Sequence, residues 1–256
     1  MQTVARSGRQ CNPRRDRRPH PPSSVSRCAR ARRNQYDSRV SWDEVGIVAK
    51  SPFEGAAPFL PKTKTIAAMR KAVDGCRGCD LYLHATQGVF GEGNSKARIV
   101  LVGEQPGDEE DRQQRPFVGP AGKLLDRALA DAGINREEVY VTNAVKHFKF
   151  EERGKRRLHK KPTSSEVQAC HPWLEAEMHS IKPQIIICLG ATAAQAILGN
   201  QFRVSKQRGI PFAHAWAPHV VATVHPSAVL RAPDDEQRHR EYAQMVADLK
   251  KARGLL

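Results

Sequence analysis

No stretch of this sequence is apolar for long enough to span a membrane, and it contains no leader with a secretory apolar centre. A soluble, cytoplasmic protein without a membrane partner is therefore expected, and structural disulfides are not, because that compartment keeps thiols reduced. Acidic residues are scarce as well. Asp and Glu number 27 against 42 Lys and Arg, a net charge of +15, which points to a polyanionic partner, most simply nucleic acid. The first fifty residues lack any apolar periodicity. Runs such as PRRDRRPHPPSS and RCARARR carry eleven Arg and Lys50 against Asp16, Asp37, Asp43 and Glu44, a net +8 that leaves +7 for the rest. Such a composition cannot bury a core, so residues 1–50 are set aside as a disordered Arg-rich extension. It can be read as a DNA-attracting arm, a targeting segment or sequence translated upstream of the true start. Its Cys11 and Cys28 are incidental.

From residue 64 to 256 the pattern becomes that of one folded domain. TKTIAAMRKAVDG puts Ile66, Met69, Ala72 and Val73 on one helical face and stops at Gly75. ARIVLVGEQPG is an apolar strand entering a Gly/Pro turn, AGKLLDRALADAGI the helix after it, and VYVTNAV a second strand. SSEVQACHPWLEAEMHSI is a helix with Ser164 as its cap, halted before Pro183. QIIICLG, ATAAQAILG and HVVATVHPS continue the alternation, and DDEQRHREYAQMVADLKKA closes it as a surface helix. Strands alternating with helices imply right-handed βαβ units. The expected fold is a three-layer α/β sandwich with a central parallel sheet flanked by helices. Ligands in such sheets bind at the strand C-terminal ends, and here those ends read GEQPGD, TNAVKH and VHPS.

Three features at or between those ends carry chemistry. GEQPGDEEDRQQRPFVGPAG has glycines that permit close backbone approach and an aromatic face in Phe117; a plain surface loop with Phe117 in the core is the alternative. Asp108, Glu109, Glu110 and Asp111 are read as solvated. CRGC supplies Cys76 and Cys79, a spacing shared by zinc, redox and cluster sites. Cys170 is a candidate third thiolate, whereas Cys188, in an apolar strand, reads as a buried small hydrophobe. GKRRLHKKP, residues 154–162, packs five cations around one histidine. Alone it is a solvated loop or a phosphate clamp.

Taken together, GEQPGDEED…PFVGPAG, VTNAVKHFKF, KRRLH and VHPSAVLR resemble the uracil-DNA glycosylase superfamily. Within it they resemble the iron–sulfur family 4 branch and the UdgX type of that branch. The resemblance implies a uracil pocket between the strand ends and uracil-containing DNA across them, single strands being easier because no pairing must be broken. It implies that Phe117 stacks on the flipped base and that Asn143 offers a donor and an acceptor to uracil O4 and N3–H. His225 would donate to the charge developing on O2. Ser227 and Arg231 would contact substrate phosphates, with Gln105 supporting the same strand end. Glu104 would be the catalytic carboxylate, stabilising an oxocarbenium-like sugar, positioning a nucleophile or taking its proton.

Ordinary family members have a cysteine where this chain has His147, so the implied ligand set of a [4Fe–4S] cluster is Cys76, Cys79, His147 and Cys170. His159, in the extra basic loop, would attack C1′ and stay attached, a covalent and single-turnover outcome. Lys155, Arg156, Arg157, Lys160 and Lys161 would draw in the DNA backbone and, by like-charge repulsion, keep His159 neutral, with Lys155, Arg156 and Arg157 forming the DNA-binding loop. A monomer is expected. The family pattern has glycine where this chain has Gln114, which bears on the turn presenting Phe117. Two rivals remain at this stage: a conventional glycosylase that turns over with water, and a noncatalytic metal-stabilised nucleic-acid-binding module.

Overall fold

The structure, a computed structural model, describes residues 54–256; the Arg-rich extension expected at 1–50 lies outside the described residues. Packing starts upstream of residue 64. Ala56 is buried and donates its N–H to Ala169 O (2.7 Å). Helix α1 (Ile66–Ala72) then runs into a 3-10 turn, Val73–Gly75, and the two cysteines of CRGC.

The six-stranded sheet is built from β1 (Glu92–Gly93), β2 (Ile99–Gly103) and β3 (Val139–Asn143), followed by β6 (Ile185–Leu189), β7 (Phe212–His214) and β8 (Ala217–Thr223). Its order is β1-β3-β2-β6-β8-β7. The central four strands are parallel, as expected, but the sheet is mixed, because β1 and β7 run antiparallel at the two edges. Both edge strands are too short to carry a readable alternation. The central strands are apolar on both faces because helices cover both. Ile99, Leu101, Val141 and Ile187 face α3 (Pro120–Asp131) and α8 (Asp235–Arg253). Val100, Val102, Ile186 and Val220 face α4 (Ser164–Ile181) and α5 (Ala191–Leu198). A third core joins α1, the CRGC turn and α4 around Trp173.

Two local expectations change. The cap of α4 is Thr163, one residue before Ser164. Its hydroxyl accepts from Glu166 N (3.3 Å) while the Glu166 carboxylate accepts from Thr163 N (2.6 Å), a reciprocal capping box. The basic stretch is an antiparallel hairpin, β4 (Phe150–Arg153) with β5 (Arg156–His159), standing apart from the main sheet. Gly154, at φ 61°, supplies the positive dihedral that the first residue of a tight hairpin turn needs.

Candidate active site

Parallel strands bring their C-terminal ends to one edge of the sheet, and four of those ends meet there. Gly103, the last residue of β2, pairs in register with Asn143, the last of β3. A Cβ at Gly103 would lie 2.3 Å from Asn143 Oδ1 and 2.6 Å from Phe117 Cζ, so the carboxamide and the ring close over a bare backbone floor. The Phe117 ring stacks near that of His225 (centroids 6.2 Å, 28° between planes). Three residues singled out in the sequence thus come together at this edge of the sheet.

The turn presenting Phe117 contains two left-handed non-glycine residues, Gln114 and Phe117, each at φ 57°. Strain of this kind persists only where surroundings enforce it, and here they do. The Gln114 amide is anchored on Asp74 Oδ2 (2.7 Å), which holds a glutamine at a dihedral that glycine adopts more readily. Glu110, on α2 (Asp108–Gln113), accepts from Gly107 N (3.1 Å) and Gly119 N (2.9 Å), clamping both ends of the turn. The expectation of solvated carboxylates fails for Glu110 and Asp111. Both are buried, because each meets backbone donors or an arginine.

His225 caps α7 (Pro226–Leu230): its Nδ1 accepts from Ser227 N (3.1 Å) and lies 2.8 Å from Ser227 Oγ. A backbone N–H can only donate, so Nδ1 carries the lone pair and Nε2 carries the proton. Burial, with His159 and Arg231 nearby, lowers its pKa to about 4. The ring is therefore a neutral donor at physiological pH. Arg231 is exposed at the end of α7.

Glu104 follows β2. Its carboxylate accepts from the Thr192 hydroxyl at the start of α5, and Oε1 lies 3.5 Å from His159 Nε2. Thr192 carried no signal in the sequence beyond its place after a strand end. The hairpin that delivers His159 is held at two points. At its foot the Gln105 amide donates to Lys149 O and Lys160 O (both 3.1 Å) and accepts from Lys149 N (3.2 Å), so this side chain is engaged with the hairpin root. On its flank Arg157 donates to Asp108 (2.5 Å) and Asp111 (2.6 Å) and lies over the Phe150 ring. Arg157 was expected to face DNA as a free cation; the two carboxylates instead make it the hairpin's anchor. Lys155 and Arg156 are exposed at the tip.

His159 is held below the ordinary histidine pKa, with burial the largest cause, Arg231 adding to it and Glu104 opposing it. Repulsion from Lys155, Arg156, Arg157, Lys160 and Lys161, the expected cause, is not among the principal ones.

Cys76, Cys79 and Cys170 lie in the third core and His147 is buried. Cys76 Sγ accepts from Trp173 Nε1 (3.3 Å) and Cys170 Sγ from Lys146 N (3.2 Å). Burial raises the Cys79 thiol to about 11 and pushes the Cys170 thiol up as well, while it lowers His147 to about 4. Among the described residues no three His, Cys, Asp or Glu side chains converge tightly enough for a single metal ion. Buried sulfurs that already accept N–H bonds suit a larger thiolate-bound cluster, whose sulfur hydrogen bonds tune it. Cys188 is fully buried in β6 against the α4 and α5 side.

Residues 90–250 match the uracil DNA glycosylase superfamily. A Type-4 uracil-DNA glycosylase of Thermotoga maritima is 40% identical over 182 residues, covering 71% of this chain and 89% of that protein. One of Archaeoglobus fulgidus is 39% identical over 182 residues, covering 68% and 87%. A Type-5 uracil-DNA glycosylase of Thermus thermophilus is 32% identical over 160 residues, covering 54% and 68%.

Proposed function

Since this chain belongs to the uracil-DNA glycosylase superfamily and acts as a uracil-DNA glycosylase in DNA repair, we propose that it is of the UdgX type, excising uracil once and remaining covalently bound to the DNA through His159. The observation that carries this reading is the 3.5 Å approach of His159 Nε2 to Glu104 Oε1, an imidazole held beside the carboxylate that faces the sugar.

A base must leave the stack to enter such a pocket. Phe117 stacks on it, and the Asn143 carboxamide pairs with O4 and N3–H, an arrangement that mismatches cytosine. As the C1′–N1 bond breaks, its electron pair goes to uracil, and the His225 Nε2–H donates to the charge on O2. Glu104 stabilises the oxocarbenium-like sugar. The Nε2 lone pair of His159 then bonds to C1′, and the ring's Nδ1 proton is lost to solvent. The resulting neutral alkyl-imidazole is a poor leaving group, so the bond persists. Lys155, Arg156, Ser227 and Arg231 bring in the phosphate backbone. Single-stranded DNA is the easier substrate, and the protein acts as a monomer. Cys76, Cys79, His147 and Cys170 hold a [4Fe–4S] cluster whose role is structural, tying three distant segments together.

The test mixes purified protein with a single-stranded oligonucleotide containing one uracil, boils it in detergent and runs a denaturing gel. A slow band present with uracil and absent with thymine is the expected result. Alkali-labile free DNA without that band would mean ordinary turnover. A broad violet absorption in a brown sample checks the cluster, since zinc gives none.

Two further outcomes follow from the geometry. Gly103→Ala puts a methyl group where Asn143 and Phe117 close, and excision should fall by about 10²-fold, as misplacement by an ångström can cost, with little change in DNA affinity. The pH dependence has a definite sign. His159 attacks only when neutral, and its pKa lies below the ordinary value, so adduct formation should stay level as pH falls from 8 to about 6.5 and be lost only below that. A half-loss above pH 6.5 would contradict the assignment.

A further inference from the structure

Lys146 and Glu177 are fully buried and paired, Nζ to Oε2 at 2.5 Å. The other two ammonium hydrogens reach Thr142 Oγ1 (2.7 Å) and the main-chain carbonyl of Asn143 (2.8 Å). The Glu177 carboxylate also accepts from Tyr140 OH (2.8 Å) and Thr142 Oγ1 (2.9 Å). The network is complete. Completeness alone does not explain why it exists, because apolar side chains of similar volume commonly replace a buried ion pair without loss of stability.

The reach of the ammonium suggests its use. It grips the backbone of Asn143 from below while the side chain of that residue lies above Gly103 beside Phe117. The Lys146 main chain joins neighbouring segments, its carbonyl accepting from Val89 N (2.8 Å) and its N–H meeting Cys170 Sγ. Glu177 sits on α4, the helix that also carries Cys170. We propose that the Lys146–Glu177 pair is a positioning device for Asn143, fixing the height of the carboxamide against the stacked base and so setting uracil selectivity. This rests on the reading of Asn143 as the residue that contacts uracil.

The decisive variant is the double replacement Lys146→Met with Glu177→Leu, which removes both charges and keeps the volume. The visible absorption should stay close to that of the unaltered protein, while Tm falls by several degrees because Tyr140 OH and Thr142 Oγ1 lose their acceptor. The single-turnover rate of uracil release should drop on the order of 10²-fold, with the protein concentration for half-maximal DNA binding unchanged. In an Asn143→Ala background the same double replacement should cost nothing more, since the two act through one contact. Wild-type release by the double variant, or an equal drop in the Asn143→Ala background, would overturn the proposal. Should the double variant not fold, Thr142→Val keeps both charges and removes the bridging hydroxyl; release should fall about 3- to 10-fold, and no change would count against the device. An Asn143→Ala protein that releases uracil at the wild-type rate would instead overturn the reading of Asn143 itself.

Discussion

His159→Ala should abolish the boiling-stable protein–DNA species and convert one uracil release per protein molecule into repeated turnover that leaves alkali-labile DNA. The alanine removes the imidazole proposed to attack C1′ and leaves Glu104 with Thr192 as its partner. Water then occupies the space beside the carboxylate, and attack by water yields a sugar that dissociates. Phe117, Asn143 and His225 are placed by Gly103, by ring stacking and by the Ser227 cap, so base excision should survive. Gel shift under denaturing conditions and uracil counted per protein molecule give the two readouts. A slow band retained by His159→Ala would assign the covalent bond to another residue.

Glu104→Gln is the second large effect. The amide keeps the shape and can still accept from the Thr192 hydroxyl, so the fold and the hairpin should be retained, but the charge facing the sugar is gone. Uracil release under protein excess should fall by about 10²- to 10⁴-fold, and adduct formation with it, because His159 has nothing to attack until the base leaves. Unchanged release would remove Glu104 from the mechanism. The pair of variants also separates the two steps: one stops the reaction before C1′–N1 cleavage, the other diverts it afterwards.

The central strands were legible because burial on both faces writes them as continuous apolar runs, IVLVG, VYVTN and IIICL, and the site residues because three strand ends run into the polar GEQPGD, TNAVKH and VHPS. The hairpin was not. Glu151, Glu152, Arg156 and Leu158 are all exposed, so neither face of FEERGKRRLH shows the apolar alternation that marks a strand. Arg157, Asp108 and Asp111 were misread for one reason: charge composition signals solvent, and only the fold shows that β5 lies against α2 and lets opposite charges neutralise one another. Lys146 and Glu177 stand 31 positions apart, and no local pattern links them. Gln105 could be placed at a strand end but not oriented, since its three partners belong to the hairpin root.

The isolation of β4 and β5 from the six-stranded sheet has a kinetic consequence. A two-stranded ribbon is marginal by itself, and this one depends on the Gln105 and Arg157 attachments. Its amides should therefore exchange with deuterated solvent far sooner than those of β2 or β6, through openings that leave the sheet intact. On the proposed reading, His159 therefore sits on a unit whose local opening would leave the six-stranded sheet intact.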